Sequence, residues 1–249
     1  MDCLARLVIR IDFDHREVAI LPKAPEDSGV PFNLGLSPFG IPTLPVNIRG
    51  HGRRVFSLDT GSQGNGDVES HLLDSLLEKG IAYDAGKALS LTVLKTEESR
   101  SARISEITLG DFSHRGLLFG ESATNTLGVG YLSRFVMTFD FPRMRVYLKP
   151  SMRFAEPDRK NLTGAAVWRP EGVTTVYDVK SGSAADLAGL KAGDVVEQFD
   201  GKEAASLSLM AIHKSFCVPG RHTLRVTRGK EALEVVVVLT EHQDVSPNP

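Results

Sequence analysis

A repeat of 19 residues within the chain places a strong restriction on its fold. Residues 4–22 and 132–150 align without gaps, and seven of the aligned positions are identical. A repeat of this kind indicates that one structural unit occurs twice, and the alternating apolar pattern of both copies predicts strand–turn–strand units. Two unrelated hairpins that share an alternating pattern are the alternative. The identical pairs are Leu4/Leu132, Arg6/Arg134, Val8/Val136, Asp12/Asp140, Phe13/Phe141, Val18/Val146 and Pro22/Pro150.

A carboxylate at the end of an apolar strand is the second restriction. Asp59 follows the strand-like run Val55–Leu58, where an unpaired charge beside a core is costly. Thr60 and Ser62 supply hydroxyl groups, and Gly61 allows a tight turn that brings its amide towards the carboxylate. Asp and Gly are also common turn residues, so a simple turn remains the alternative. A carboxylate held by such hydrogen bonds is suited to acid–base chemistry on water.

The elements predicted around Asp59 follow a recognisable order. A helix is predicted at about Val68–Lys79, with Asp67 as its cap and Gly80 after its end. Strands are predicted at Ala88–Lys95 and Ser101–Leu109, separated by a charged tip at 96–100. The stretch 126–141 then brings a Leu-Gly turn and a closing strand.

This order resembles one lobe of the retropepsin-like aspartic proteases and covers roughly residues 40–150. The resemblance implies a β-barrel lobe in which the hairpin forms a flap over the substrate, although the charged, glycine-free tip differs from the small and mobile flaps of the family. It also implies that the first repeat copy is the closing part of a preceding lobe, so that the chain is the C-terminal portion of a two-lobed protease. The catalytic motif implied by the resemblance is Asp59, Thr60, Gly61 and Ser62.

A different pattern begins near Leu162. The stretch Gly182–Gly201 contains Gly-Ser-x-Ala, Ala-Gly-Leu, Gly-Asp and Asp-Gly at fixed spacing, and it resembles the PDZ domains attached to bacterial-type proteases. The resemblance implies that a peptide is added as a strand, with its terminal carboxylate held by backbone amides. A rigid docking domain with an empty groove is the alternative. The groove residues implied are the loop Thr163, Gly164, Ala165 and Ala166, and the helix residues Leu209 and His213.

The predicted fold class is therefore mainly β, with an acid-protease barrel lobe followed by a PDZ domain. The domain organisation follows from these patterns and from the Pro- and Gly-rich or charged stretches between them. It comprises closing strands of a preceding lobe at 1–22, a linker at 23–39, the protease lobe at 40–150, a linker at 151–161, the PDZ domain at 162–241 and a flexible tail at 242–249.

Composition excludes several classes of function. The formal net charge is −2, so the basic excess typical of nucleic-acid binding is absent. No apolar run approaches the length of a membrane span. Cys3 and Cys217 are far apart and form no disulfide framework or metal motif, and we expect neither a metal nor another cofactor. No signal peptide is recognisable at the N-terminus, and the family resemblance implies an exported or cell-envelope protein.

Two functional hypotheses follow from the single Asp-Thr-Gly. Aspartic proteolysis uses two carboxylates that share one proton, so Asp59 supplies half of a dyad. The other half belongs either to Asp59 of a second copy or to the preceding lobe. The first hypothesis is an aspartic endopeptidase whose PDZ domain binds peptide or protein substrates. The second is an inactive protease-like scaffold that acts as a peptide-binding module.

Overall fold

The computed structural model describes residues 4–62, 64–91 and 96–240. The chain is mainly β, as predicted, and forms two compact units. The first contains the chain up to Gly86 and Arg100–Asp158, and the second contains Lys87–Ser99 and the chain from Arg159. None of the helices in the described ranges has the length and apolar character needed to cross a membrane.

Thirteen strands and two helices lie between Val8 and Pro150. In chain order they are β1 (Val8–Asp12), β2 (Glu17–Leu21), β3 (Val30–Asn33), β4 (Gly35–Leu36), β5 (Pro42–Ile48), β6 (Gly52–Asp59), β7 (Gly66–Glu69), α1 (Ser70–Glu78), β8 (Ala82–Leu91), β9 (Thr96–Leu109), β10 (Phe112–Ser122), β11 (Thr126–Gly128), α2 (Val129–Leu132), β12 (Phe135–Asp140) and β13 (Arg145–Pro150).

The two copies of the repeat lie side by side in one sheet. Its strand order is β2-β1-β12-β13-β3, and β1 pairs with β12 in antiparallel orientation. Arg10 lies opposite Thr138, which is its equivalent in the repeat. When the two copies of the repeat are exchanged, the residue pair on one side of Arg10 and Thr138 becomes the pair on the other side. Both turns contain a left-handed residue at the equivalent position, Arg16 with φ 56° and Met144 with φ 49°. The two hairpins are therefore related by a local two-fold axis that passes between Arg10 and Thr138.

The remaining strands of the first unit form an eight-stranded sheet with the order β4-β5-β6-β11-β7-β10-β9-β8. β11 lies between β6 and β7, parallel to the first and antiparallel to the second. Gly128 at the end of β11 is opposite Asp59 at the end of β6. This arrangement brings the Leu-Gly turn of the sequence against the Asp-Thr-Gly turn.

The helix after Asp59 forms because its apolar residues share one side. Leu72, Leu73 and Leu76 are buried in the core, and burial of each leucine contributes about 1.5–3 kcal/mol. The helix begins at Ser70 instead of near Val68, since residues 66–69 form β7 and pair with β10 and β11. Asp67 is thus a strand residue and not the predicted helix cap. Strand pairing at this point overrides the capping signal.

The predicted hairpin also differs in its turn. β9 begins at Thr96 and runs to Leu109, so the charged residues 96–100 belong to a strand and not to a tip. Predicted strand residues 92–95 lie outside the described residues. One of these charged residues has a structural role in the strand, because Arg100 donates hydrogen bonds to Glu121 and Asp74.

From Arg159 to residue 240, the described part of the second unit contains six strands and two α-helices. These are β14 (Ala165–Trp168), β15 (Thr175–Val179), α3 (Ala184–Leu187), β16 (Val195–Phe199), β17 (Lys202–Glu203), α4 (Leu209–Ser215), β18 (Gly220–Arg228) and β19 (Glu231–Leu239). The strand order is β14-β15-β16-β18-β19, with β17 paired to β16. β14 is therefore an edge strand of the sheet, and α4 packs against it. Ile212 and Phe216 anchor the helix in a separate apolar core.

Candidate functional site

The turn after β6 holds the carboxylate of Asp59 in place. The amide of Gly61 donates a hydrogen bond of 2.8 Å to Asp59 Oδ1, as the sequence predicts for an Asp-x-Gly turn. Asp59 and Thr60 are exposed, and Ser62 is half-buried. The turn thus presents the carboxylate to solvent with one oxygen oriented by the backbone.

A second segment crosses this turn and fixes its shape. The amides of Val129 and Gly130 donate to the carbonyl oxygens of Ser62 (2.7 Å) and Gly64 (2.9 Å). A Cβ atom on Gly128 would lie 2.4 Å from the carbonyl oxygen of Gly64, closer than any side chain can approach. Only glycine at 128 permits this crossing, which explains the Leu-Gly motif in physical terms.

A second carboxylate lies on the same face of the sheet as Asp59. Ser57, Thr126 and Asp67 are opposite one another on β6, β11 and β7, and Asp59 is two residues after Ser57, so its side chain points to the same side. The Thr126 hydroxyl donates to Asp67 Oδ2 at 3.2 Å. Burial raises the pKa of Asp67, and the negative charge of Asp59 raises it further.

The repeated aspartates have a structural task. Asp12 Oδ1 accepts hydrogen bonds from the amides of Asp14 and His15, both at 3.1 Å. Asp140 accepts from the amide and the guanidinium of Arg143, at 3.3 and 2.9 Å. Both carboxylates are buried, so they cap equivalent turns and stand apart from the candidate catalytic turn.

The predicted carboxylate-binding loop of the second unit already has partners for its amides. Thr163 is buried, and its amide donates to Asn161 Oδ1 at 2.9 Å. The amide of Ala165 donates to Thr163 Oγ1 at 2.9 Å. Gly164 between them has φ +69°, and a Cβ there would lie 2.3 Å from Ser183 Cβ, so this turn requires glycine. Ala166 follows as the second residue of β14.

The structure brings the predicted helix residue His213 onto the predicted edge strand. His213 Nε2 lies 3.3 Å from the carbonyl oxygen of Val167 in β14. Burial lowers the pKa of His213, so the ring is neutral at pH 7 and Nε2–H can donate this bond. Leu209, one turn earlier, is half-buried and packs against the core of the unit. Both predicted helix residues thus lie on α4, and His213 contacts the edge strand.

Two residues near these sites escaped the sequence analysis. Asn161 lies in the stretch predicted as a linker, but its side chain donates to the carbonyl oxygen of Ala165 at 3.0 Å. An Asn two residues before Thr163 is a known local turn signal that could have identified it. Asp158, from the same stretch, accepts a hydrogen bond of 2.7 Å from Asn65 in the loop after Asp59, and no sequence pattern indicates this long-range contact.

Solved structures share partial similarity with the chain. A retropepsin-like aspartic protease from Rickettsia conorii is 14% identical, with a TM-score of 0.38, over 48% of this chain and 89% of the other. The serine endoprotease from Yersinia pestis is 13% identical, with a TM-score of 0.34, over 96% and 95% of the two chains.

Curated sequence relatives match part of the chain. A probable periplasmic serine endoprotease, DegP-like, from Chlamydia trachomatis serovar D is 39% identical over 67 residues, which are 26% of this chain and 14% of that protein. The Chlamydia muridarum counterpart is 38% identical over 80 residues. The chain thus spans about a seventh of the length of these curated relatives. The PDZ domain family matches residues 154–239, and this part of the chain is a PDZ domain, as predicted.

Proposed function

We propose that this chain supplies one half of an aspartic-type endopeptidase, with Asp59 as one carboxylate of the catalytic dyad and the PDZ domain as the binding site for peptide or protein substrates. The observation that carries the proposal is the turn at Asp59. Its carboxylate is exposed, one oxygen accepts a bond from Gly61 at 2.8 Å, and the crossing segment at Gly128–Gly130 fixes the turn. A carboxylate oriented in this way is suited to act on a water molecule.

The second carboxylate of the dyad is not Asp67. β11 lies between the strands that carry Asp59 and Asp67, so the two backbones are about 10 Å apart across the sheet. Two carboxylates that share a proton must be in direct contact. Asp59 therefore affects Asp67 only through its charge.

A second lobe is the better source of the missing carboxylate. Val18 and Ile20 in β2 are 69% and 68% exposed, whereas their repeat equivalents Val146 and Leu148 are 0% and 2% exposed in the core. Aliphatic side chains that alternate on one face of a strand normally face a core. The first hairpin therefore fits a lobe of the same kind, related to this one by the two-fold axis at Arg10 and Thr138.

The first hairpin argues against a homodimer around the same axis. β1 occupies the edge of β12 that the partner's β12 would need. The proposed dyad then contains Asp59 and the equivalent carboxylate of the second lobe, in contact with each other at the two-fold axis.

The chemistry assigned to the dyad is peptide hydrolysis. The ionised carboxylate takes a proton from water as the water oxygen attacks the scissile carbonyl carbon, and the protonated carboxylate gives its proton to the carbonyl oxygen. The first proton then passes to the amide nitrogen as the C–N bond breaks. As the C–N bond breaks, one hydroxyl of the tetrahedral intermediate returns its proton to the other carboxylate and the C=O bond re-forms. The products are a carboxylic acid and an amine, and the dyad again holds one shared proton.

The test is peptide cleavage by a chain that carries both lobes, assayed with and without Asp59→Asn. We expect the variant to keep its fold, measured by circular dichroism, and to lose at least a thousandfold in kcat, because the water has lost its base. Asp111→Asn, at an exposed turn, is the matched control. Unchanged cleavage in the Asp59 variant, or no cleavage by the two-lobed chain over pH 3–8, would refute the proposal.

A peptide-binding scaffold without catalysis is the second candidate. Residues 154–239 form a PDZ domain, and peptide binding needs no dyad. Binding of peptides by the two-lobed chain without any cleavage, unaffected by Asp59→Asn, is the outcome that favours this candidate.

A further inference from the structure

We propose that the peptide groove of the PDZ domain is held closed by its own side chains, and that Asn161, Thr163 and His213 act together as a latch that a ligand must displace. The proposal rests on the peptide-binding role of this domain and is independent of the catalytic role of Asp59. It concerns the outer edge of β14, where an added peptide strand would pair.

The direction of the main-chain groups identifies this edge. The N–H and C=O of one strand residue point to the same side, and successive residues alternate. β15 pairs with one edge of β14, and the main-chain groups of Ala165 and Val167 that bond to side chains point away from it. These are the groups that a peptide strand would use.

The latch occupies three of these groups. The amide of Ala165 donates to Thr163 Oγ1 at 2.9 Å, and its carbonyl oxygen accepts from Asn161 Nδ2 at 3.0 Å. The carbonyl oxygen of Val167 accepts from His213 at 3.3 Å. Each bond replaces one that a peptide strand would make, so the edge is satisfied without a ligand.

The loop that would hold a terminal carboxylate is occupied in the same way. The amide of Leu162 donates to the carbonyl oxygen of Phe216 at 2.9 Å, and that of Thr163 donates to Asn161 Oδ1. The Thr163 hydroxyl also donates to Asn161 Oδ1 at 2.7 Å, which joins the two side chains. Their oxygens take the place of a carboxylate, so an entering C-terminus competes with acceptors that the chain itself supplies.

The experiment measures peptide affinity in latch variants of the full chain. A library of random decapeptides with free C-termini is selected against the parent, Asn161→Ala and Thr163→Val, all in the Asp59→Asn background to prevent cleavage. The selected peptides are then measured against every variant by fluorescence anisotropy. Because a hydrogen bond contributes about 1 kcal/mol, we expect each latch variant to bind roughly fivefold more tightly than the parent.

Two further variants test whether tighter peptide binding comes from loss of the latch or from a general loss of stability in the PDZ domain. Asn161→Asp removes the donor to Ala165, keeps the acceptor for Thr163 and adds a negative charge that repels a peptide carboxylate, so it should gain less than Asn161→Ala. Gln198→Ala removes a side-chain amide that bonds to Glu203 on another strand of the domain, and its affinity should equal that of the parent. Equal or weaker binding by the Asn161 and Thr163 variants would overturn the proposal, and so would the absence of binding by every chain. Neither outcome depends on whether the protein cleaves peptides.

Discussion

The two carboxylates on the face of the sheet around Asp59, those of Asp59 and Asp67, lower the stability of the folded state. A single substitution at Asp67 can measure this effect. Burial raises the pKa of Asp67 and the charge of Asp59 adds to it, so the folded state keeps the proton to higher pH than the unfolded state. Stability therefore falls as the pH rises through the interval between the two pKa values. The loss is complete above the folded-state pKa and absent below the unfolded-state pKa.

Asp67→Asn should accordingly stabilise the protein at pH 7 by about 1 kcal/mol, because the amide keeps the acceptor for Thr126 without the charge. The gain should disappear in urea unfolding experiments below the pKa of an ordinary aspartate. Asp111→Asn, at an exposed turn, should show no such pattern. A less stable Asp67 variant at pH 7 would contradict the expectation.

His114 gives the opposite dependence on pH. It is buried among the rings of Tyr131, Phe135 and Phe154, and burial lowers its pKa to about 4. Between about pH 6.5 and 4 the unfolded state therefore binds a proton at His114 that the folded state does not bind. As a result, the free energy of unfolding falls as the pH drops from about 6.5 towards 4.

His114→Phe keeps the ring packing and cannot take the proton. Between pH 7 and pH 5 the parent should lose on the order of 1 kcal/mol more than this variant in chemical unfolding. His71→Gln, at an exposed position, should retain the parent's dependence. Identical pH profiles for the parent and His114→Phe would show that another group causes the acid sensitivity.

At the level of elements, the crossing of β11 and the Asp59 turn determines whether the site forms. Gly128→Ala places a methyl group 2.4 Å from the carbonyl oxygen of Gly64, and overpacking of this kind costs about 1–3 kcal/mol. We expect lower thermal stability and loss of any cleavage, since the displaced turn no longer orients Asp59.

Gly64→Ala is the matched control within the same turn. Its nearest neighbour would be the amide of Gly66 at 3.8 Å, which is ordinary contact, so stability and cleavage should stay close to those of the parent. If Gly128→Ala behaves like this control, the crossing does not support the site.

The sequence predicts an element well when the residues that determine it are close together along the chain, and poorly when its partners are distant. The Asp59 turn is encoded by adjacent residues, and its bond from Gly61 could be predicted. The start of α1 could not, because Asp67 is drawn into β7 by partners in β10 and β11, far along the chain. The hydrogen bonds of Asn161 were not predicted, because this residue lies in a charged stretch whose composition is typical of linkers.

At the scale of the whole molecule, the repeat could be read from the sequence, but its geometry could not. Seven identities predict two similar hairpins and say nothing of how they pair. The structure pairs them around Arg10 and Thr138, so the first hairpin occupies the position that the second hairpin of a twin lobe would take. The pairing therefore predicts which surface of the chain a second lobe would contact.

Removal of residues 1–22 should therefore change the oligomeric state. The deletion uncovers the edge of β12, and an uncovered strand edge is a template for pairing with another chain. Because Arg10 and Thr138 are equivalent positions, two copies can pair β12 with β12 in the register that β1 now uses. Light scattering should show a monomer for the parent and a concentration-dependent dimer for the shortened chain.

In the proposed dyad two copies of Asp59 meet across the same axis in this dimer, so the shortened chain should gain peptide cleavage that the present chain lacks. Activity should rise with the square of protein concentration below the dimerisation constant, because only paired chains hold a complete dyad. Mixing with an equal amount of shortened Asp59→Asn chain should leave about a quarter of the dimers with both carboxylates. A shortened chain that stays monomeric would show that the axis does not define an assembly surface, whereas an inactive dimer would show that Asp59 is not at a dyad.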